Sequence, residues 1–133
     1  MKSMSEQHWP HFSHAELQCH CGCGRSVMDE RFMARLEELR MAYGKPIIVN
    51  SAYRCPNHNA SVSTTGSNGP HTTGRAVDVQ VSGEDAHTLM ALAMHHGFTG
   101  IGVSQRGQHK SRFIHLDTLD AAPGQPRPTI WSY

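Results

Sequence analysis

No charge of one sign dominates this chain: twelve Lys and Arg stand against eleven Asp and Glu, a formal net charge of +1, and the basic residues are scattered. Without a basic stripe there is nothing to track a nucleic-acid backbone or an anionic bilayer, so nucleic acid is excluded as a partner. Long apolar runs are missing too. The longest, at Ile47-Ile48-Val49, is far short of the ~20 residues that span a bilayer, so no membrane insertion is expected. The opening MKSMSEQHWP lacks the apolar stretch of a secretory signal, and synthesis in the cytoplasm without a signal peptide is expected. Internal repeats and low-complexity tracts are absent. What is there suffices for one core: 133 residues with 38% hydrophobic content read as a single domain, 1–133. The unusual component is histidine. Eleven imidazoles, neutral near pH 7, offer many nitrogen donors without added charge and point towards metal chemistry.

Local signals divide the chain. Ser13 and Glu16 spell a capping box for a short helix, and Asp29 caps a longer one with Phe32, Leu36, Leu39 and Tyr43 on one face, ended by Gly44. Ser82 opens a second long helix, with Leu89, Leu92, Ala93 and His96 on one face before Gly97. Strands are predicted at 47–51, 76–81, 100–104 and 112–118, a long loop at 61–69, and a Pro-rich tail from Pro123. The order is not strict βαβ, and only seven residues separate the last two strands, which suits a hairpin. The expected fold is α+β, a small, mostly antiparallel sheet flanked by helices.

One constellation carries chemistry. In HTTGRAVD (71–78), His71 lies on a loop and Asp78 on the following strand; His115 in FIHLD (113–117) supplies a third donor. Alternation along that strand turns Phe113, His115 and Asp117 the same way. Two nitrogens and a carboxylate leave tetrahedral zinc one open position, the pattern of a hydrolytic site. The spacing alone also fits a loop histidine and a strand-end aspartate that merely fix the backbone.

Four ordered blocks sharpen this: SAYRCPNHN (51–59), HTTGRAVDV (71–79), GFTGIGV (97–103) and RFIHLDT (112–118). In order and spacing they resemble the zinc D-alanyl-D-alanine carboxypeptidases and related phage-type endopeptidases, the group that also holds lysostaphin-type enzymes and the hedgehog signalling domain. The resemblance implies Zn2+ held by His71, Asp78 and His115, a site arginine at Arg54, and a hedgehog-like or DD-peptidase-like fold. It implies hydrolysis of peptidoglycan stem peptides, with L-Ala–D-Glu endopeptidase first and D-Ala-D-Ala carboxypeptidase second; a non-catalytic, hedgehog-like zinc-binding interaction module is a third reading. The ending RPTIWSY (127–133) resembles small holin-associated endopeptidases of the ChiX type, implying a holin-like export route and action in the periplasm or cell wall. A monomer is expected.

Two departures from the family stand out. Gly69, followed by Pro70, occupies a place where the family often has serine, with Ser67 as a substitute hydroxyl, and no acid lies three to six residues before His115, where Arg112 and His109 stand. A general base is therefore sought by elimination among the eleven acids. Glu6 and Glu16 lie in the N-terminal region, Asp29, Glu30, Glu37 and Glu38 on the first long helix, Glu84 and Asp85 at the start of the second, and Asp78 is a metal ligand. Asp120 is the first candidate and Asp117 the second, with His109 behind them; Asp117 alternatively supports a ligand imidazole. Arg54 would pair with a substrate carboxylate or a developing oxyanion. Trp131 and Tyr133 either wall the cleft or pack the tail.

Other groups stay open. Cys19, Cys21, Cys23 and Cys55 suggest a disulfide, a structural zinc or free thiols, and Cys-x-Cys-x-Cys is tighter than usual knuckle spacing. His8, His11 and His14 recur every three residues and read as solvent-facing polar positions.

Overall fold

The computed structural model describes residues 9–133, with the side chain of Ser67 also outside the description. His8, Glu6 and the opening stretch therefore lie outside the described residues. Helix α1 (His14–Leu17) forms where the capping box closes: Ser13 Oγ accepts from the Glu16 backbone N–H at 3.1 Å and the Glu16 carboxylate accepts from the Ser13 N–H at 3.0 Å. In α2 (Glu30–Tyr43), Asp29 accepts from the Phe32 N–H at 2.8 Å, and Gly44 ends the helix in the left-handed region at φ 72°. Helix α4 (Gly83–His95) begins at Ser82, but no side-chain cap is made there; its backbone carbonyl alone opens the helix.

The strands are β1 (Ile48–Ser51), β2 (Ala76–Gln80), β3 (Gly100–Ser104), β4 (Phe113–Asp117) and β5 (Thr129–Ser132). They form one sheet in the order β1-β2-β4-β3-β5, antiparallel except for the β3–β5 pair. This is the expected α+β architecture. Period-2 alternation sorts the two faces. Val77, Val79, Ile101, Ile114 and Leu116 join Phe32, Leu36, Leu39 and Leu89 in the core. Fully burying each such side chain contributes about 1.5–3 kcal/mol.

The opposite face carries the chemistry. Register aligns Ser51, Asp78, His115, Gly102 and Trp131 in one row across all five strands. Two elements were not legible in the sequence: α3 (Pro56–Val62), followed by short 3-10 turns at Gly66–Asn68 and Pro70–Thr73 where a loop was expected, and β5 within the expected tail. The N-terminal histidines are spoken for separately, His11 by Glu37 at 2.5 Å and His14 by Ser26 at 2.8 Å.

Candidate metal centre and cleft

His71 is brought in by the turn Pro70–Thr73, which Gly74 ends at φ 74°; an added Cβ there would collide with the Val27 carbonyl. The sheet register does the rest by setting Asp78 of β2 opposite His115 of β4. Asp78 Oδ1 lies 3.2 Å from His71 Nε2 and 3.1 Å from His115 Nδ1, and the three residues form a cluster able to hold a metal ion.

The outer nitrogens decide the tautomers. His71 Nδ1 is 2.7 Å from the Ala52 carbonyl oxygen, which only accepts, so that nitrogen carries the proton. His115 Nε2 donates to Asp117 Oδ2 at 2.8 Å. Each ring therefore turns a lone pair inward, against the Asp78 carboxylate, and three lone pairs at this separation repel unless a cation lies among them. The donor set and its outer hydrogen bonds fit zinc. A proton on the His115 ring offsets the Asp78 charge in the way a cation would. Burial opposes ionisation of Asp78, yet His115 and His71 hold its carboxyl well below the usual carboxylate range. Burial lowers His115, and Asp117 and Asp78 more than reverse this, raising it above the ordinary imidazole value.

Asp117 is fully buried and both its oxygens are engaged: Oδ2 with His115 and with Arg127 Nη2 at 2.8 Å, Oδ1 with Arg127 Nε at 2.9 Å and the Leu119 N–H at 3.2 Å. Burial raises its carboxyl, but the hydrogen bonds from His115 and Arg127 bring it down to about 2. Each oxygen of this carboxylate thus already accepts two hydrogen bonds, one of them from the His115 ring. Asp120 is placed elsewhere. Its side chain is 92% exposed, 3.9 Å from Arg75 Nη1, and faces a hollow beside Asp29 and Arg35 rather than the cleft over His71. The structure thus does not bring the first candidate base to the metal cluster, and His109 lies on the exposed turn His109–Ser111, also away from it.

Arg54 does join the site. Its Nη2 is 3.5 Å from Asp78 Oδ2, while Nε donates to Ser51 Oγ and Nη1 to Asn59 Oδ1, both at 3.2 Å. Helix α3 exists here to present Asn59, which is fully buried and also donates to Thr65 Oγ1 and to the Gly66 carbonyl. Gly69 then has a steric reason: a Cβ there would collide with the Thr65 hydroxyl and come within 2.8 Å of Asn59 Nδ2. The hydroxyl of Thr65, not a residue at 69, fills that corner.

Above this floor lies a cleft of about 860 Å3, lined among others by Ser63 to Thr65 and Pro123 to Arg127. Trp131 and Tyr133 both line it: the Trp131 ring centre is 5.1 Å from that of His115, and Tyr133 packs on Phe113 at 5.1 Å. Burial chiefly raises the Tyr133 phenol, with nearby Asp78 adding to this, so the hydroxyl keeps its proton near neutrality. Arg127, over the Trp131 face at 5.3 Å, was not singled out from sequence, because nothing local marks its pairing with Asp117 ten residues away.

All four cysteines are free, so the disulfide considered above is not formed. Among the described residues no helix is long and apolar enough to cross a membrane. The family model described as Peptidase M15 matches residues 10–117, and no curated protein matches the chain.

Proposed function

The chain belongs to the Peptidase M15 family and is a zinc-dependent peptidoglycan peptidase; on that premise we propose that its cleft cuts stem peptides at the L-Ala–D-Glu bond, with His71, Asp78 and His115 holding the zinc. The observation that carries this reading is the inward-facing set of three lone pairs, fixed by Ala52 and Asp117, at the floor of an open cleft. When bound, zinc supplies the Lewis acid that polarises the scissile carbonyl and lowers the pKa of water.

The protein's own groups supply binding and orientation. Arg54 and Arg127 offset Asp78 and Asp117 in charge, so a divalent cation leaves the cleft net positive and suited to a carboxylate-bearing peptide. Arg54 keeps guanidinium N–H groups towards the cleft for a substrate carboxylate or the developing oxyanion. The protonated Tyr133 hydroxyl is a second donor at the cleft wall. Asp117 acts through His115 as a positioning residue, and Asp120, turned towards Arg75, is assigned no proton transfer.

A volume near the upper end of the roughly 300–1,000 Å3 usual for ligand sites favours a chain held on both sides of the cut bond. Family membership favours the second reading, D-Ala-D-Ala carboxypeptidase. Digestion of purified peptidoglycan followed by mass spectrometry separates them: endopeptidase action splits the stem between its first two residues, carboxypeptidase action releases D-alanine alone. Zinc-loaded protein that binds stem peptide without cutting it would return the protein to the interaction-module reading. The same proposal places the protein at the wall or in the periplasm as a monomer, reached by a holin-like route that the tail resemblance supports. It takes 1–133 as one domain, since β5, beyond the family match, completes the sheet.

A further inference from the structure

A second group of donors lies away from the cleft. Cys19, Cys21 and Cys23 sit on the loop after α1, where Gly22 and Gly24 adopt φ of 92° and 75°, and Cys55 lies just before α3. One sulfur from each falls within 4.8 Å of the others.

The separations are informative. Cys19 to Cys21 is 3.5 Å, Cys21 to Cys55 3.6 Å and Cys19 to Cys55 3.7 Å between sulfurs. A disulfide needs about 2.05 Å and joins sulfurs in pairs. Three nearly equal separations describe instead the face of a tetrahedron, whose edge for zinc–sulfur bonds of about 2.3 Å is about 3.8 Å. We propose that Cys19, Cys21, Cys23 and Cys55 hold a second zinc ion, structural and fully ligated by thiolate.

Two further features fit. The Cys55 N–H donates to Cys19 Sγ at 3.3 Å, as backbone amides do to metal-bound thiolates. Arg25 borders the same hollow as Cys21, Cys23 and Cys55 and offsets part of the negative charge that four thiolates bring to zinc. Binding is an exchange without oxidation: four thiols give four protons to solvent and four sulfurs to one divalent ion.

The site has a structural purpose. The strap from Ala52 to Cys55 supplies the carbonyl that fixes His71, carries Arg54, and is tied to α1 by the Tyr53 N–H to the Leu17 carbonyl at 3.2 Å. Zinc at Cys55 would pin the free end of that strap to the N-terminal loop. It thereby holds the frame of the catalytic centre without taking part in it.

Metal analysis tests the proposal. Wild-type protein purified without chelator should contain two zinc ions per chain, and the His71→Ala/His115→Ala variant one. Titrating wild-type protein with an organomercurial, which attacks thiolates, should release one zinc as four thiols react, read with a zinc-sensitive dye. Cobalt loaded into the double variant should give an intense sulfur-to-metal charge-transfer absorption. No metal in the double variant together with no zinc released by the mercurial overturns the proposal, and so does a denatured mass lighter by two hydrogens per disulfide. If the double variant fails to fold, the mercurial titration on the wild type decides alone.

Discussion

Replacing Asp117 by asparagine removes one charge with almost no change in shape, and it tests how the site is held. The carboxylate accepts four hydrogen bonds in a fully buried position, one from His115, two from Arg127 and one from the Leu119 amide. Its carboxyl titrates at about 2 against an ordinary 3.8, and at about 1.4 kcal/mol per unit that difference is worth about 2 kcal/mol of stability at neutral pH. Asparagine forfeits that sum and leaves the Arg127 guanidinium, whose side chain is 7% exposed, without its counter-charge. Breaking a buried pair from one side costs about 3–5 kcal/mol, so a fall in Tm of about 10–20 °C is expected. The amide also presents an N–H2 where His115 Nε2–H or Arg127 needs an acceptor. The imidazole loses the contact that fixes its tautomer, and zinc affinity should drop about 10- to 100-fold. Chelator competition reads the affinity, differential scanning fluorimetry the stability, and clearing of purified peptidoglycan the activity; loss of activity persisting at saturating zinc would locate the defect in ring orientation. An Asp117→Asn protein with wild-type zinc affinity and wild-type clearing would refute the positioning role.

Four other outcomes follow from the same geometry. Asp120→Ala should keep peptidoglycan hydrolysis within a few-fold of wild type, because the exposed carboxylate faces Arg75; loss of about 10² or more would restore it as the base. Arg54→Lys should lower turnover while leaving zinc content unchanged, since lysine keeps the charge but cannot bridge Ser51, Asn59 and Asp78 with one planar fork, and equal turnover in a kinetic assay would remove Arg54 from the site. Acidification should remove the Asp117 contribution: a depressed folded pKa stabilises above the unfolded value near 3.8 and the benefit disappears as pH falls through about 2, so the Tm difference between wild type and Asp117→Asn should shrink over that window. Gly100→Ala should destabilise by about 1–3 kcal/mol in urea unfolding, because its Cβ would collide with the buried Asp117 carboxylate.

Most of the frame was written locally. Ser13 with Glu16, Asp29 and Gly44 mark helix ends by hydrogen bonds and a left-handed turn that neighbouring residues settle among themselves, and β-branched alternation exposed β2 and β4. Loop, strand and face parity allowed His71, Asp78 and His115 to be grouped, and the resemblance of the four blocks to the family singled them out as ligands. Helix α3 was not: PNHNASV has no apolar stripe, only a proline at its start, and it is kept in place by Asn59 reaching into Arg54 and Thr65. Strand β5 is short and half-exposed, and its parallel partner β3 is far away in the chain. The separation of Asp117 from Asp120 was hidden for a related reason. Alternation already turns Asp117 to the His115 face, but its closure by Arg127 and the turn of Asp120 towards Arg75 arise only in the fold. The cysteines gave a composition without a geometry, since Cys55 is brought to the N-terminal loop by the fold.

The bare backbone of Gly102 has a consequence for anyone reshaping this cleft. A Cβ at that position would lie 2.6 Å from Trp131 Nε1, so the indole that flanks His115 rests on a site kept vacant for it one strand away. Positions 102 and 131 therefore share one allotment of space, and a library that varies 102 alone would return only glycine. Varied together with 131, the pair becomes a dial for the width of the channel beside the metal: a smaller residue at 131 makes room both for a side chain at 102 and for bulkier substrate groups. The path to altered specificity runs through this couple without replacing a ligand, at the cost of the ring on which Arg127 rests.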